Sequence, residues 1–552
     1  MAKQKIYRST YPAPYSPTNK SLSQFLNDYN PDAVSRDKTI LQDDWTGRSL
    51  TYGGIRASAA QHAWSFRTKY GLGVGHVVAI SGANSVDHVL LIHSVLWTGA
   101  TVALINPLST QDDFVRYFTI CNPKLVVVDP SLCDTALDAL KRIPSLCSVP
   151  TIALRGTHGS LFSFPSNFES NEMLPVFDLS NLDGREHTAV VCFSSGTSGN
   201  TKAVELSHHN LISSLGGIRS SDPMFYNSES REVFFAPLCH IYGLNTVGLM
   251  GVWLGTYTML MKKYSLDALL ELAAYHKATT LRLVPPIALA MMKADSLGSY
   301  DLSSIKFVMC AGAALQQDVI EALQRRMNKA PIFQGYGMTE TNVATLRSHE
   351  WNRVGSVGRL FSNVEARIVD DYLNDVEEGQ DGEMLVRGPT VFRYVCRRYL
   401  NDPAATIDAF HDGWMRTGDV LHFDPDGFLY LTGRKKELIK YKGFQVAPAE
   451  LEGILISHPF VNEGVVCATW DNNQGTEIPM AYVTLSSAGS SYPGSRQTAL
   501  KEIAEFVNAK VSPYKRLRGG VEVLDEIPKT PTGKILRRLL PATLARNRAA
   551  KL

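Results

Sequence analysis

The stretch Ser194-Ser195-Gly196-Thr197-Ser198-Gly199-Asn200-Thr201-Lys202 gathers hydroxyls, two glycines and an ammonium into a phosphate-sized space. Glycines let backbone amides come close to an anion, while the hydroxyls and Lys202 add donors and charge. The apolar run 189–193 before it reads as a buried strand, and the segment opening near Ser207 reads as a capped helix. Strand, glycine loop and helix in that order are a usual setting for the phosphates of a nucleotide triphosphate. Lys202 sits three residues beyond Gly199 and precedes Ala203, so the G-x-x-x-x-G-K-[ST] spacing of a Walker loop is absent and kinase or GTPase readings weaken. Taken alone, the stretch is also compatible with a plain Gly/Ser/Thr turn.

Working outward, apolar runs at 77–80, 125–128, 189–193, 233–237 and 307–310 alternate with longer helical stretches. That alternation predicts a doubly wound α/β body. Past Val354 the segments shorten and are broken by Asp381-Gly382, Asp412-Gly413 and Asp426-Gly427, which suits antiparallel hairpins and a β-rich subdomain. Around 432–437 the chain turns polar and charged, then opens a fresh α+β pattern through 451–456, 464–468 and 480–485. The expected fold class is therefore α/β, with a large N-terminal domain of residues 1–435 and a small α+β C-terminal domain of residues 436–552.

At 552 residues the chain is too long for one core, and 44% hydrophobic with 20% charged residues is ordinary for a globular protein. A formal net charge of +2 without long basic or acidic blocks gives no reason to expect nucleic acid as a partner. The eight cysteines are scattered, with no C-x-x-C pair and no zinc spacing, which suits a reducing compartment. No apolar h-region follows the start, so a secretory signal is not expected. Residues 241–261 carry no charge and imitate a membrane span, but four glycines lower their hydrophobicity, and Gly255 is expected to separate a buried helix from a strand at 256–261. No transmembrane segment is therefore expected. The sequence finishes Ala550-Lys551-Leu552, a close relative of the S-K-L address read by the peroxisomal import receptor, behind a stretch whose basic residues lack acids. The expected location is the peroxisome, or the cytoplasm if the tripeptide is not used.

Three further segments occur in order after the loop: Gly335-Tyr336-Gly337-Met338-Thr339-Glu340, Trp414-Met415-Arg416-Thr417-Gly418-Asp419, and residues 433–452, with Pro528-Lys529-Thr530-Pro531-Thr532-Gly533-Lys534 near the end. Together they resemble the acyl-adenylate-forming superfamily of acyl-CoA ligases, luciferases and peptide-synthetase adenylation domains, most closely its 4-coumarate-CoA-ligase-like members. The likeness spans nearly the whole chain, and the run Lys436-Glu437-Leu438-Ile439-Lys440-Tyr441-Lys442-Gly443-Phe444-Gln445-Val446-Ala447-Pro448-Ala449-Glu450-Leu451-Glu452 is very specific.

The chemistry makes sense beside the name. A carboxylate is a poor electrophile until its oxygen becomes a good leaving group, and joining it to AMP achieves that. Two anions must meet, so positive charge, positioning and a metal are needed. The resemblance implies ATP, Mg2+ and CoA as cofactors and co-substrates, with a small carboxylic acid as partner. It places Ser194, Ser195, Gly196, Thr197, Ser198, Gly199 and Lys202 on the outer phosphates, Thr339 on the α-phosphate, and Thr197 and Glu340 on magnesium. Tyr336 would stack on adenine, flanked by Gln334, Gly335, Ala313 and Ala314, while Asp419 accepts both ribose hydroxyls and Arg434 adds a second ribose contact. Lys534 would bridge the two anions in the first step.

The second step needs a thiol where pyrophosphate sat, and in such proteins the small domain rotates to exchange its catalytic faces. By resemblance Lys436 is the hinge, Lys440 and Gln445 contact the adenylate, and Lys263, Lys442 and Gly443 contact CoA. His240, Tyr242, Thr246 and Gly312 would wall the acyl pocket, with His240 also catalytic. No aspartate stands there to pair with an α-ammonium, which disfavours amino acids. Cys310 replaces a lysine common in coumarate ligases, Leu315 replaces a proline, and Thr341-Asn342-Val343 replaces Ala-Gly-Pro, so an acid other than 4-hydroxycinnamate is implied. The expectation is an acyl-CoA ligase for an apolar aryl or medium-chain acid. A luciferase-like oxygenase acting on an adenylated acid is the alternative, and a non-catalytic nucleotide sensor conflicts with the joint presence of Glu340, Asp419, Lys440 and Lys534.

Overall fold

The computed structural model describes residues 4–195, 201–311, 315, 317–342, 344–346, 353–392, 399–442, 444–471, 474–529 and 535–544. Two seven-stranded sheets form its α/β body. The first runs in the order Thr201–Ser207, Thr188–Ser195, Thr101–Ile105, Val77–Ser81, Leu125–Val128, Thr151–Leu154 and Ser163–Phe164. It is parallel except for the first pair, which is antiparallel. The second runs Ile332–Gln334, Phe307–Cys310, Thr280–Leu283, Arg231–Phe234, Tyr257–Leu260, Thr39–Asp43 and Ser49–Thr51, parallel except for its last hairpin. Strands covered on both faces need continuous apolar runs, and 125–128 is the clearest case, buried throughout. The helix Val86–Trp97 packs against Thr101–Ile105 of one sheet and Thr39–Asp43 of the other, so all of it is buried.

The expected strands at 77–80, 125–128, 189–193 and 307–310 all form, whereas the one expected at 233–237 stops at Phe234. There Pro237 lacks an N–H, its carbonyl accepts the His240 amide in a turn, and the Leu238 amide goes to Asn84 Oδ1 at 3.0 Å. The expected strand–loop–helix order needs a correction too. A strand, Thr201–Ser207, pairs antiparallel with Thr188–Ser195 and stands in the chain between the glycine stretch and the helix His208–Ser221. That helix does start where expected, with Ser207 and Asn210 forming a reciprocal capping box. Residues 241–254 are a buried helical run containing a π-helical stretch, Leu244–Gly251; Gly255 at φ +70° ends it, and Tyr257–Leu260 follows as a strand. Among the described residues no helix is long and apolar enough to cross a membrane.

A six-stranded sheet of Tyr7–Arg8, Glu365–Val369, Gly382–Arg387, Trp414–Phe423, Phe410–His411 and Leu429–Arg434 is the β-rich part. Asp412 and Gly413, both at positive φ, form its two-residue hairpin turn, and Gly427 serves the next one. Asp381-Gly382 is not a turn: Gly382 begins a strand, and a Cβ there would lie 2.6 Å from the Val369 carbonyl oxygen. After it come the hairpin Ile439–Tyr441/Phe444–Val446, the helix Pro448–Ile456 and a three-stranded sheet. This region has its own apolar cluster, including Ile439, Leu451, Val466, Val483 and Ile503.

Candidate active site

The loop residues Gly196, Thr197, Ser198 and Gly199 lie outside the described residues, as does the side chain of Ser195. Ser194 and Lys202 face each other as register partners at its base. From there Lys202 Nζ stands 4.0 Å from the ring centre of Tyr399, and the Tyr399 hydroxyl donates to Glu340 Oε1 at 2.9 Å. The strand carrying Lys202 fixes this meeting, because Val204 bridges to Tyr399 and the Leu400 amide donates to the Ala203 carbonyl at 2.8 Å. Burial, then the neighbouring Glu340 carboxylate, push the Tyr399 phenol far above its ordinary pKa, so it stays an O–H donor. Thr339 and Glu340 are both buried.

On the other side of the same loop, Tyr336 follows the strand Ile332–Gln334 and donates its hydroxyl to Asp419 Oδ2 at 2.7 Å. Thr345 Oγ1 accepts the Tyr336 amide at 3.1 Å and in turn donates to the Val357 carbonyl at 2.7 Å, which fixes the turn. Asp419 and Arg434 are register partners on adjacent strands, with Arg434 Nε 3.3 Å from Asp419 Oδ1. Both carboxylate oxygens of Asp419 are thus engaged by protein groups, and a carboxylate has lone pairs enough to accept ligand hydroxyls beside them. Burial, then Asp419, hold the Tyr336 phenol protonated. Gln334 Oε1 accepts the Leu315 amide at 2.7 Å, anchoring the end of a segment whose Gly312, Ala313 and Ala314 are outside the described residues. Gly335 joins Gln334 to Tyr336.

Of the residues assigned to the acyl pocket, Tyr242 and Thr246 lie on the helical run 241–254 and His240 at its start. His240 caps it, its Nδ1 accepting the Tyr242 amide at 3.2 Å, which leaves the ring proton on Nε2. Among the described residues the buried Tyr242 hydroxyl has no hydrogen-bond partner, and Thr246 is buried one turn on. Cys310 is fully buried, and burial pushes its thiol up to about 12, so it is neutral.

The charged segment joining the two parts is held from both ends. Lys435 Nζ binds Asp371 at 2.8 Å and Glu383 at 3.0 Å, while Glu437 binds Arg537 at 2.9 Å, and Lys436 lies between them. Lys440 and Gln445 are register partners on the following hairpin, both exposed. Among the described residues Lys440 has no hydrogen bond to Tyr336, Glu340 or Asp419; its amide donates to Glu477 Oε2 at 2.8 Å. Lys442 stands at the hairpin tip at φ +46°, and Lys263 is exposed on a separate turn. Gly443 and Lys534 fall outside the described residues.

The structure therefore brings together Lys202, Glu340, Tyr336, Asp419 and Arg434 around the loop 335–340, and leaves Lys440, Gln445, Lys442 and Lys263 apart from them. Tyr399 and Thr345 escaped the sequence reading. Neither belongs to a glycine-rich or charged motif, and only their pairing partners across the fold reveal them.

Residues 30–395 match the AMP-binding enzyme family, and residues 450–534 match the AMP-binding enzyme C-terminal domain. The chain is 33% identical to peroxisomal OPC-8:0-CoA ligase 1 of Arabidopsis thaliana, over 97% of this chain and 95% of that one. It is 32% identical to 4-coumarate--CoA ligase 1 of the same plant, over 98% and 95%. Among solved structures, an ATP-bound RpMatB-BxBclM chimera superposes with a TM-score of 0.83 at 25% identity, covering 96% of this chain and 99% of that one. The anthranilate CoA ligase AuaEII with anthranoyl-AMP has the same fold, with a TM-score of 0.83 at 24% identity over 96% and 99%.

Proposed function

The chain belongs to the AMP-binding enzyme family, and on that premise we propose that it is an ATP-dependent, AMP-forming acid–CoA ligase. The observation that carries this reading is the pair of partner sets at the two ends of the segment 336–340, Lys202–Tyr399–Glu340 at one and Tyr336–Asp419–Arg434 at the other, which suits a nucleotide with its phosphates at one end and its ribose at the other. In the first step a carboxylate oxygen of the acid attacks the α-phosphorus and the bond to pyrophosphate breaks. Asp419 and Arg434 hold the ribose, Tyr336 the adenine, and Thr339 an α-phosphate oxygen, while Lys534 bridges the two anions. In the second, the CoA sulfur attacks the acyl carbon and the bond to AMP breaks, giving a thioester. The relatives named above are CoA ligases, which speaks against the oxygenase alternative.

A magnesium ion fits the donors present. Glu340 supplies a hard carboxylate of which Tyr399 occupies one oxygen, and among the described residues no cluster of three His, Cys, Asp or Glu competes for a metal. Such an ion is bound through one or two carboxylates and the substrate phosphates, and it supplies charge neutralisation there. The Glu340 carboxylate and, by resemblance, Thr197 are the residues that would hold it.

The substrate reading is an apolar aryl or medium-chain acid, supported by the buried, uncharged run 241–254. The domain boundary is placed between Lys435 and Lys436, supported by the opposed ion pairs of Lys435 and Glu437, with the C-terminal domain as a swinging lid. The peroxisome is the proposed location, consistent with the peroxisomal relative and with the tripeptide 550–552, which lies outside the described residues. Deleting Leu552 from a fluorescently tagged chain should disperse a punctate pattern; an unchanged pattern rejects the tripeptide.

The test of the chemistry is CoA-dependent pyrophosphate release over a panel of aryl and straight-chain acids, with mass spectrometry of the product. Lys534→Ala should abolish pyrophosphate release yet spare thioester formation from preformed acyl-AMP, and Lys440→Ala should show the opposite bias. Pyrophosphate or acyl-AMP without a thioester would redirect the assignment to another acceptor.

A further inference from the structure

Lys293 reaches from the N-terminal part of the chain to the C-terminal one, its Nζ donating to the Val461 carbonyl at 3.2 Å and to the Asn462 carbonyl at 3.1 Å. Both sides of this contact are prepared for it. Lys293 is the last residue of the helix Pro285–Lys293, whose Ala288 and Met291 are buried in one apolar cluster with Leu281 and Leu283 of the second sheet. Arg326 ties down the end of that helix by donating to the carbonyls of Met291, Met292 and Ala294, so the point from which the lysine departs is fixed. On the other side the strand Val461–Asp471 pairs with Thr476–Leu485, and the register slips between Val461 and Glu463, which leaves Asn462 as an extra residue. The Glu463 amide donates to the Thr484 side chain there, at 3.1 Å. A bulge breaks the ladder locally, so carbonyls at it can accept from outside the sheet, and those of Val461 and Asn462 accept from Lys293.

Lys440 and Gln445, assigned to the second step, stand apart from the buried set around 335–340 while this contact is made, so the contact belongs to the arrangement that precedes thioester formation. A rotation of the small domain about Lys436 carries Val461 and Asn462 away from Lys293, which stays with the other body. Resting on the ligase reading and on the proposed swing of the C-terminal domain, we infer that Lys293 is a positioning residue for the first step: it clasps the lid where acyl-AMP forms and lets go before CoA is acylated. A lysine suits that task. Its three donors on a flexible stem meet two carbonyls without the fixed fork of an arginine, and Lys293 and Asn462 are both exposed, so water replaces the bonds on either side when they open. A contact of this kind is weak enough to break in every turnover, yet it biases which arrangement is populated.

The experiment uses the full chain and separates the two half-reactions, acid-dependent ATP–pyrophosphate exchange and thioester formation from preformed acyl-AMP, in the wild type, Lys293→Met and Lys293→Arg. Methionine keeps an unbranched stem and removes the donors, whereas arginine keeps donors for both carbonyls. The expected result in Lys293→Met is a fall of about 3- to 10-fold in exchange with thioester formation unchanged or faster, and in Lys293→Arg a return to wild-type behaviour. Release is read directly in a double variant, Lys293→Cys with Asn462→Cys: bridged by a short bismaleimide it should keep exchange and lose thioester formation, whereas the same protein capped with a monofunctional maleimide should keep both. Equal losses in both half-reactions of Lys293→Met mark a structural role and overturn the inference. No loss in either, a loss confined to thioester formation, or a bridged protein that still makes thioester overturns it as well, and all of these leave the ligase reading standing. A wild type that forms no thioester with any acid of the panel overturns the ligase reading first, and this inference with it.

Discussion

Replacing Tyr399 with phenylalanine isolates one hydrogen bond at the centre of the phosphate end. The hydroxyl donates at 2.9 Å to a carboxylate oxygen of Glu340, and both residues are 5% exposed. A hydrogen bond to a charged group in such a place contributes about 1.5–3 kcal/mol. Phenylalanine cannot donate. The ring itself remains, so Lys202 keeps its aromatic neighbour at 4.0 Å. If Glu340 works only in the step that expels pyrophosphate, the whole loss should fall there, as about a 10- to 150-fold fall in kcat/KM for ATP. The assay measures acid-dependent ATP–pyrophosphate exchange beside thioester formation from preformed acyl-AMP. The first should fall and the second should hold. Tyr399→Leu, which also removes the ring beneath Lys202, should fall further by the ~0.5–2 kcal/mol of a cation–aromatic contact. Equal losses in both half-reactions, or none in either, would refute the placement of Glu340 and Tyr399 at the phosphates.

Three other outcomes follow from buried partners elsewhere. Tyr336→Phe takes the donor at 2.7 Å from Asp419 and should weaken ATP binding by about 10-fold or more in calorimetry, the cost of one hydrogen bond to a buried carboxylate; unchanged affinity would detach Tyr336 from the nucleoside. Burial opposes the charge on Glu383, but the hydrogen bonds from Arg416 and Lys435 hold its carboxyl below the ordinary range, so its contribution is complete above the unfolded value near 4.3 and is lost as pH falls through the lower folded value. The melting-temperature gap between wild type and Arg416→Met should therefore be full at pH 7 and close below about pH 4, whereas a gap independent of pH would contradict the ion pair. Burial pushes the thiols of Cys121, Cys239 and Cys310 up to about 12 while Cys147 is exposed, so iodoacetamide mapping of the native protein should find Cys147 modified first and Cys310 spared.

Much of this was legible in the residues because burial leaves a mark on composition. Runs such as 125–128 and 307–310 must be apolar on both faces to lie inside a parallel sheet, and Ser207 announces a helix start through its hydroxyl. The hairpin after the glycine loop was not legible, since 201–207 mixes Lys202 and Glu205 with apolar positions and only its pairing with 188–195 makes it a strand. The same limit hid Tyr399. It comes to Glu340 through a bridge to Val204, and such a contact between distant segments has no local pattern.

The way the site residues are held divides the chemistry between the two parts of the chain. Asp419, Tyr336 and Glu340 are buried and held by hydrogen bonds at 2.7 and 2.9 Å, which suits the proposed role of keeping one nucleotide in place from the first step to the second. Lys440 and Gln445 are exposed on one short hairpin, with backbone anchors at Glu477 and Thr476 and no bond to the buried set. Groups that must leave after one bond is made and return with another face cannot be tied to the nucleotide pocket without opposing their own departure. On the proposal that the C-terminal domain swings, Lys436, between a lysine bound to Asp371 and Glu383 and a glutamate bound to Arg537, is the proposed pivot, because the flanking ion pairs can then travel intact with their own bodies. Exposed lysines that are idle in one arrangement are thus what a two-step site with one nucleotide pocket requires.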